Sequence, residues 1–210
     1  MENKMLSGSK KKYYILKRII DVFLGVMGCI ILSPLLLILV IAIKTTSRGP
    51  AIFKQKRIGI HKNHFYIYKF RTMRTDTPKD MPTHMLSNPE QFITGIGKFL
   101  RKTSLDEIPQ IFNIIRGDMS VVGPRPALWN QADLIEERDK YGANDILPGL
   151  TGWAQINGRD ELEIPVKAML DGEYVRCMSL GFDMKCLFRT IVSVVNHEGV
   201  VEGGTGNVQD

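Results

Sequence analysis

From Val22 to Ile43 the chain carries no charged side chain. A helix over that run is about 33 Å long, against roughly 30 Å for the hydrocarbon core of a bilayer. The pattern predicts a membrane helix with Ser33-Pro34 in its middle. Pro34 has no N–H for the Ile30 carbonyl, and its ring crowds the preceding turn, so a kink is expected. The Ser33 hydroxyl can bond the carbonyl that proline releases. Lys10, Lys11, Lys12, Lys17 and Arg18 precede the run, and Lys44, Arg48, Lys54, Lys56 and Arg57 follow it. Basic flanks favour the cytoplasmic side of a membrane, so both ends would be held there. A re-entrant helix broken at Ser33 and Pro34 meets that demand. A plain span that tolerates its proline fits the length as well. A signal peptide would need a shorter apolar core and a small-residue cleavage site, and neither is evident.

After residue 48 the period changes. Gly49-Pro50 marks a turn. Ala51 to Ile58 and His64 to Met73 read as the strands of a hairpin joined through Gly59 to Asn63. In the second strand Phe65, Ile67, Lys69 and Arg71 share one face, and Tyr66, Tyr68, Phe70 and Thr72 the other. Arg74 to Glu90, with Pro78, Pro82 and Pro89, is expected to be a mobile surface loop. Ile96, Phe99 and Leu100 return to helical spacing among Lys98, Arg101 and Lys102, a basic amphipathic segment suited to an anionic membrane surface. Leu105, Ile108, Ile111, Phe112 and Ile115 form a further helical face, stopped at Gly117.

Trp129 to Tyr141 is a charged helical pattern and Ile146 to Arg159 a Gly-rich loop. Val166 to Met178 and Phe182 to Asn196 read as amphipathic helices whose Met169, Leu170, Val175, Leu187, Ile191 and Val194 face a core or a membrane. The predicted fold is α+β and mainly helical. A basic arm and re-entrant membrane helix occupy 1–48. A small cytoplasmic domain of amphipathic helices with a β-hairpin occupies 49–198, lying on the membrane surface, and a flexible tail occupies 199–210.

Composition narrows the partners. A formal net charge of +6 over 210 residues favours anionic ones: phosphates, anionic lipid or nucleic acid. Cys29, Cys177 and Cys186 have no paired spacing, which argues for a reducing compartment rather than a disulfide framework. His61, His64, His84 and His197 form no His-x-x-x-His pair, so a zinc site is not expected.

The candidate chemistry lies at Asp106 and Glu107, which sit side by side between a basic segment and an apolar helical pattern. One such carboxylate can attack phosphorus while the other holds a metal that neutralises phosphate oxygens. The plainer alternative is a capping box of Ser104 and Glu107. With Ser104 as N-cap the acids fall in the first turn of the helix; with Pro109 at the first helical position they fall just before it. Lys69 and Arg71, two apart on one strand face, would make a phosphate clamp, or a charged strand edge that blocks aggregation. In Gly123-Pro124-Arg125-Pro126 the prolines would preset the direction of the Arg125 guanidinium, or form only a stiff turn. Gly95-x-Gly97-Lys98 lacks the spacer and the hydroxyl residue of a phosphate loop.

These stretches together resemble one family. They are Lys17-Arg18-x-x-Asp21, Ser33-Pro34, Tyr68-Lys69-Phe70-Arg71-Thr72-Met73, Lys102-Thr103-Ser104-Leu105-Asp106-Glu107-x-Pro109-Gln110, Gly117-Asp118-Met119-Ser120-x-Val122-Gly123-Pro124-Arg125-Pro126 and Pro148-Gly149-x-Thr151-Gly152-Trp153-Ala154-Gln155-x-Asn157-Gly158-Arg159. In that order they are similar to the bacterial sugar transferases, the monotopic phosphoglycosyl transferases, over roughly residues 15 to 195. With a single apolar run the chain resembles the minimal form. The resemblance implies transfer of a phospho-sugar from a UDP-sugar to polyprenyl (undecaprenyl) phosphate at the cytoplasmic membrane, with UMP released. An N-acetylated amino sugar is the favoured donor sugar.

By the same resemblance Asp106 would be the nucleophile. Glu107, with Asp106, would bind Mg²⁺. Lys69, Arg71, Pro124, Arg125 and Arg159 would hold the substrate phosphates. Two readings from other classes stand beside it: a membrane-anchored adaptor without activity, and a membrane-tethered nucleic-acid-binding protein using the aromatic and basic strand. The ordered motifs favour the enzyme, with no nucleic-acid partner.

Overall fold

The structure, a computed structural model, describes residues 8–77, 88–158 and 162–195. Most of the expected loop before Glu90, Arg159 and the tail lie outside the described residues. Helix α1 is Gly8–Thr46. Strands β1 (Ile52–Ile58) and β2 (His64–Phe70) follow as an antiparallel hairpin in which Phe53 faces Lys69. Then come α2 (Gly95–Lys102), a 3₁₀ turn (Leu105–Gln110) and α3 (Ile111–Arg116). Strand β3 (Ser120–Val122) is followed by α4 (Ala132–Asp139) and β4 (Gly149–Thr151), and β3 and β4 pair in parallel. Helices α5 (Trp153–Ile156), α6 (Ile164–Cys177) and α7 (Leu180–Val195) complete the described chain. This is the expected mainly helical α+β fold.

At 39 residues α1 is about 58 Å long. The break expected at Ser33 and Pro34 does not interrupt it: α1 continues through Pro34 as one helix, and the Ser33 hydroxyl donates to the Ile30 carbonyl at 2.8 Å, the acceptor that proline leaves without its usual donor. One stripe of α1 packs on the rest of the protein along nearly its whole length. Lys17 Nζ and the Tyr13 hydroxyl both reach Asp183 Oδ2 on α7 at 2.9 Å. The Arg18 guanidinium donates to the Ile114 and Ile115 carbonyls at 2.6 and 2.8 Å, closing the C-terminal end of α3. Asp21, 3% exposed, accepts the Ser120 hydroxyl at 2.7 Å and the Val121 N–H at 3.0 Å. At Gly25 the two helices come so close that a Cβ would lie 2.9 Å from Ile115 Cγ1. Past Pro34 the contacts turn apolar: Leu39 and Ile43 are buried with Ala51, Phe70 and Leu100.

The remaining sides of α1 are apolar and open; Phe23 is 63% and Ile31 67% exposed. Helix α7 has a similar open strip, Met184, Phe188 and Ile191, at the spacing of one helix face. A patch this large exceeds what a soluble monomer usually shows. By length and composition α1 is able to cross a membrane.

Two differences from the sequence reading bear on the site. Strand β2 stops at Phe70, so the alternation assumed out to Met73 ends one residue before Arg71. The single helical face drawn from Leu105 to Ile115 is a 3₁₀ turn followed by a short α-helix. Pro109 has no N–H, so the α-helical bond back to Leu105 does not form. Leu105 and Ile108, on either side of the two acids, pack on the cluster of Leu39, Ile43, Phe70 and Leu100, which seats the turn.

Asp21 ties α1 to the start of β3 and is therefore a test of that docking. Asp21→Ala leaves a buried hydroxyl and an N–H without an acceptor and should cost about 1–3 kcal/mol. Thermal unfolding of the detergent-solubilised chain should fall accordingly; an unchanged midpoint would mean that α1 is held by its apolar stripe alone.

Candidate active site

Asp106 and Glu107 occupy the first turn of the 3₁₀ segment. Ser104 precedes them in the left-handed region at φ 55° and makes no side-chain cap bond, so the capping box is not formed. The Glu107 carboxylate turns instead to two cations. Lys69 Nζ, at the end of β2, donates to Glu107 Oε1 at 2.7 Å, and Arg125 Nη2 donates to the same oxygen at 2.8 Å. Lys69 Nζ also lies 4.0 Å from Asp106 Oδ2. The side chains of Asp106 and Glu107 are only 14% and 12% exposed.

One environment moves the two acids in opposite directions. Burial pushes the Asp106 carboxyl above the ordinary aspartate range; Lys69 opposes that shift and the neighbouring Glu107 charge adds to it. Burial would raise Glu107 too, but the Arg125 guanidinium and the Lys69 ammonium outweigh it and hold its carboxyl well below the usual glutamate range. Glu107 is the fixed anion that anchors the cations. Asp106 is the more basic carboxylate, hence the better nucleophile once ionised.

Sequence reading did not place Arg101 in the site. Its Nε donates to Thr72 Oγ1 at 2.9 Å, and its charge lowers Asp106. Four residues of helix and turn separate it from Asp106, so no single periodicity puts the two together.

Arg71 is a correction. Its guanidinium donates to the carbonyls of Ser47 and Arg48 and to the Ser47 hydroxyl, and it is 6% exposed. Leaving the strand at Phe70 turns it away from Lys69 toward the end of α1, where it takes up carbonyls that helix termini leave unpaired. Lys69 and Arg71 therefore do not form one clamp.

Pro124 is buried beneath Arg125, and its carbonyl accepts the Gly149 N–H at 2.8 Å. Arg57 Nη1 donates to the Pro126 carbonyl at 2.9 Å on the other side. The Arg125 loop is thus held at both of its prolines. The strand pair below it is packed backbone on backbone: a Cβ at Gly149 would lie 2.1 Å from the Gly123 nitrogen. This explains why the Gly-Pro-Arg-Pro and Pro-Gly-x-Thr-Gly stretches both carry glycine there.

Among the described residues no group of three or more His, Cys, Asp or Glu converges. Mg²⁺ is commonly held by one or two carboxylates, with waters and substrate phosphate completing the shell. Asp106 and the Glu107 oxygen not engaged by Lys69 fit that mode of binding. A cage built from protein alone does not fit.

Two adjacent acids of low exposure thus lie beside Lys69, Arg101 and Arg125, on a domain docked along a long apolar helix. Residues 12–197 match the bacterial sugar transferase family, and the chain belongs to it. It is 42% identical over 185 residues to the undecaprenyl-phosphate glucose phosphotransferase of Komagataeibacter xylinus, covering 83% of this chain and 35% of that protein. It is 34% identical over 206 residues to the undecaprenyl-phosphate galactose phosphotransferase of Salmonella typhimurium, covering 91% of this chain and 43% of that one. Against an uncharacterized sugar transferase of Bacillus subtilis it is 37% identical, covering 89% of this chain and 90% of the other.

The opposed shifts make opposed stability effects. Glu107 has a folded-state pKa below its unfolded value. Its contribution is present above the ordinary glutamate value of about 4.3 and is lost as pH falls through the folded pKa. Asp106 has a raised folded-state pKa. Its contribution is present below the ordinary aspartate value of about 3.9 and is lost as pH rises through the folded pKa. At pH 7, Asp106→Asn should therefore raise the unfolding midpoint. Glu107→Gln should lower it, through a stability loss of roughly 3 kcal/mol, the low end for leaving a partner charge unpaired. Equal shifts of the same sign would show that the two carboxylates are not differentiated.

Proposed function

We propose that this chain is a phosphoglycosyl transferase. It moves a sugar phosphate from a UDP-sugar to undecaprenyl phosphate, releases UMP, and so performs the first membrane step of a bacterial polysaccharide or glycoprotein pathway. The observation that carries the reading is the pair of adjacent carboxylates of low exposure, one anchored by Lys69 and Arg125 and the other left basic. The names of the relatives support the lipid acceptor and the class of transfer.

In the first step an Asp106 carboxylate oxygen attacks the phosphorus next to the sugar. The bond from that phosphorus to the bridging oxygen breaks, and UMP departs with the electron pair. The product on the protein is a phosphoglycosyl-aspartate. In the second step a phosphate oxygen of undecaprenyl phosphate attacks the same phosphorus, displaces the Asp106 carboxylate and gives the lipid diphosphosugar. Lys69, Arg101 and Arg125 spread the charge that develops on phosphate oxygens, and low exposure strengthens each of these interactions. Arg159 is proposed as a further phosphate ligand on the resemblance alone. Mg²⁺ held by Glu107 and Asp106 would supply additional neutralisation of the phosphates. The first donors to compare are UDP-glucose and UDP-galactose, with UDP-linked N-acetylated amino sugars beside them.

Incubation with donor and Mg²⁺, without the lipid, should add one phospho-sugar mass to the peptide that contains Asp106. Asp106→Asn should lose the adduct and nearly all turnover. An adduct on another residue, or a mutant with parental rates, would overturn the assignment.

The membrane part of the reading is a re-entrant α1 with both flanks on the cytoplasmic side of the inner membrane. In support, the same domain contacts α1 before Pro34, through Tyr13, Lys17, Arg18 and Asp21, and after it, through Leu39 and Ile43. A straight span would carry one of those sets across roughly 30 Å of hydrocarbon, away from its partners. The open apolar sides of α1 and α7 would then enter a single leaflet.

In a chain without its native cysteines, Ser7→Cys should be protected from an impermeant thiol reagent on intact cells. Adding Ser33→Ala and Pro34→Leu should expose it in part of the population, since an interior proline disfavours a straight helix by about 3 kcal/mol. Strong labelling of the parent would refute the re-entrant topology and leave the catalytic assignment standing.

A further inference from the structure

Asn113 lies in the middle of α3 and is fully buried. Its side-chain amide is completely engaged. Oδ1 accepts the Tyr68 N–H at 3.0 Å, while Nδ2 donates to the Tyr66 carbonyl at 2.8 Å and to Asp118 Oδ2 at 3.2 Å. The Tyr66 carbonyl and the Tyr68 N–H flank Ile67 on the edge of β2 that β1 does not use. A neighbouring strand would meet such a pair with the N–H and C=O of one residue. A side-chain amide has the same donor and acceptor, and here it takes the place of the strand. The Asn113 backbone is equally fixed: its carbonyl accepts the N–H groups of Gly117, Asp118 and Met119 at 3.1, 3.0 and 3.3 Å.

We propose that Asn113 is a positioning residue for the site, its amide setting the register between β2, which carries Lys69, and the turn that carries Asp106 and Glu107. Lys69 directly follows Tyr68, and the turn leads straight into α3. Apolar packing joins the same elements, since Ile67 lies against Ile114 and Met119. Apolar contact is non-directional and does not choose a register by itself. Directional bonds to Tyr66 and Tyr68 do. A slip of one strand residue is about 3.3 Å and turns every side chain to the opposite face. It would remove Lys69 from Glu107 entirely. The proposal rests on the catalytic reading given above, and its first test is independent of catalysis.

That test is acylation of Lys69 in the full-length, detergent-solubilised chain, read by mass spectrometry after brief exposure to acetic anhydride without substrates. In the parent, Lys69 is 16% exposed and paired, so it should react slowly. Asn113→Ala should raise its modification several-fold. Asn113→Ser, which keeps a hydroxyl too short to bridge both strand groups, should raise it as well and serves where the alanine variant does not fold.

The control is Asn144→Ala. Asn144 is also a buried amide, but it donates to the Ile135 carbonyl at 2.8 Å and to Asp139 Oδ1 at 2.7 Å, both on α4 rather than β2. It should leave Lys69 as slow as in the parent. Unchanged Lys69 reactivity in the folded Asn113 variants, or an equal rise in Asn144→Ala, would overturn the proposal.

The second readout is kinetic. Misplacement of Lys69 by about 1 Å should lower kcat of Asn113→Ala up to a hundredfold with little change in the donor KM. Asn144→Ala should keep the parental kcat per folded molecule. A parent that transfers no phospho-sugar would sink the catalytic reading, while the acylation result alone would still decide the role of Asn113.

Discussion

Glu107 Oε1 accepts from Lys69 and Arg125 at once, and the site depends on that shared oxygen. Lys69 comes from the hairpin, Glu107 from the 3₁₀ turn and Arg125 from the loop above the parallel strand pair. A buried charge is tolerated only when it is paired and hydrogen-bonded. Each of the three segments therefore has an energetic reason to be where it is. The surrounding structure serves this convergence: Leu105 and Ile108 seat the turn, Pro124 and Pro126 hold the arginine loop, and Asn113 engages the edge of β2.

The cations that compensate Glu107 compensate Asp106 only in part. The acids are sequence neighbours in one low-exposure turn, and the cations favour the second. Had the charges been shared evenly, neither carboxylate would stay basic enough to be a good nucleophile. On the proposed function, the unequal sharing would make Glu107 the structural group and Asp106 the reactive one, placed side by side.

Much of this was legible in the residues. The uncharged run from Val22 gave α1, and alternation after Gly49-Pro50 gave the hairpin. The acid pair and the arginine between prolines marked two of the converging segments. Arg71 was misplaced because alternation carries no information about where a strand stops; the strand ended three residues early, at Phe70, and the guanidinium went to the end of α1. Strands β3 and β4 are three residues each, too short for a period to appear, and their pairing shows in sequence only as glycines where backbones touch. Arg101 reaches Thr72 and Asn113 reaches Tyr66 and Tyr68 through long-range contacts that no local spacing encodes. Arg101 looked like one more cation of a membrane-facing segment, and Asn113 interrupts an apolar face without announcing a partner.

The N-terminal part of α1 carries Lys17, Arg18 and Asp21 on the approach to its apolar run. Charge near a hydrocarbon phase is costly unless it is matched. Each of these residues is matched by the domain rather than by lipid or water: Lys17 by Asp183, Arg18 by two carbonyls of α3, and Asp21 by Ser120 and Val121. The partners of Arg18 close the helix that follows the turn of Asp106 and Glu107, and those of Asp21 begin the strand that leads to Arg125. The depth of α1 and the geometry of the site are therefore not independent. On the proposed topology, a shift of α1 along its own axis by one helical turn, about 5.4 Å, would break all three polar matches. The helix can settle in a leaflet only at the depth at which Asp106, Glu107 and Arg125 are already assembled. On the proposed function, a site that meets a soluble nucleotide sugar and a lipid phosphate in turn would need that fixed height above the membrane.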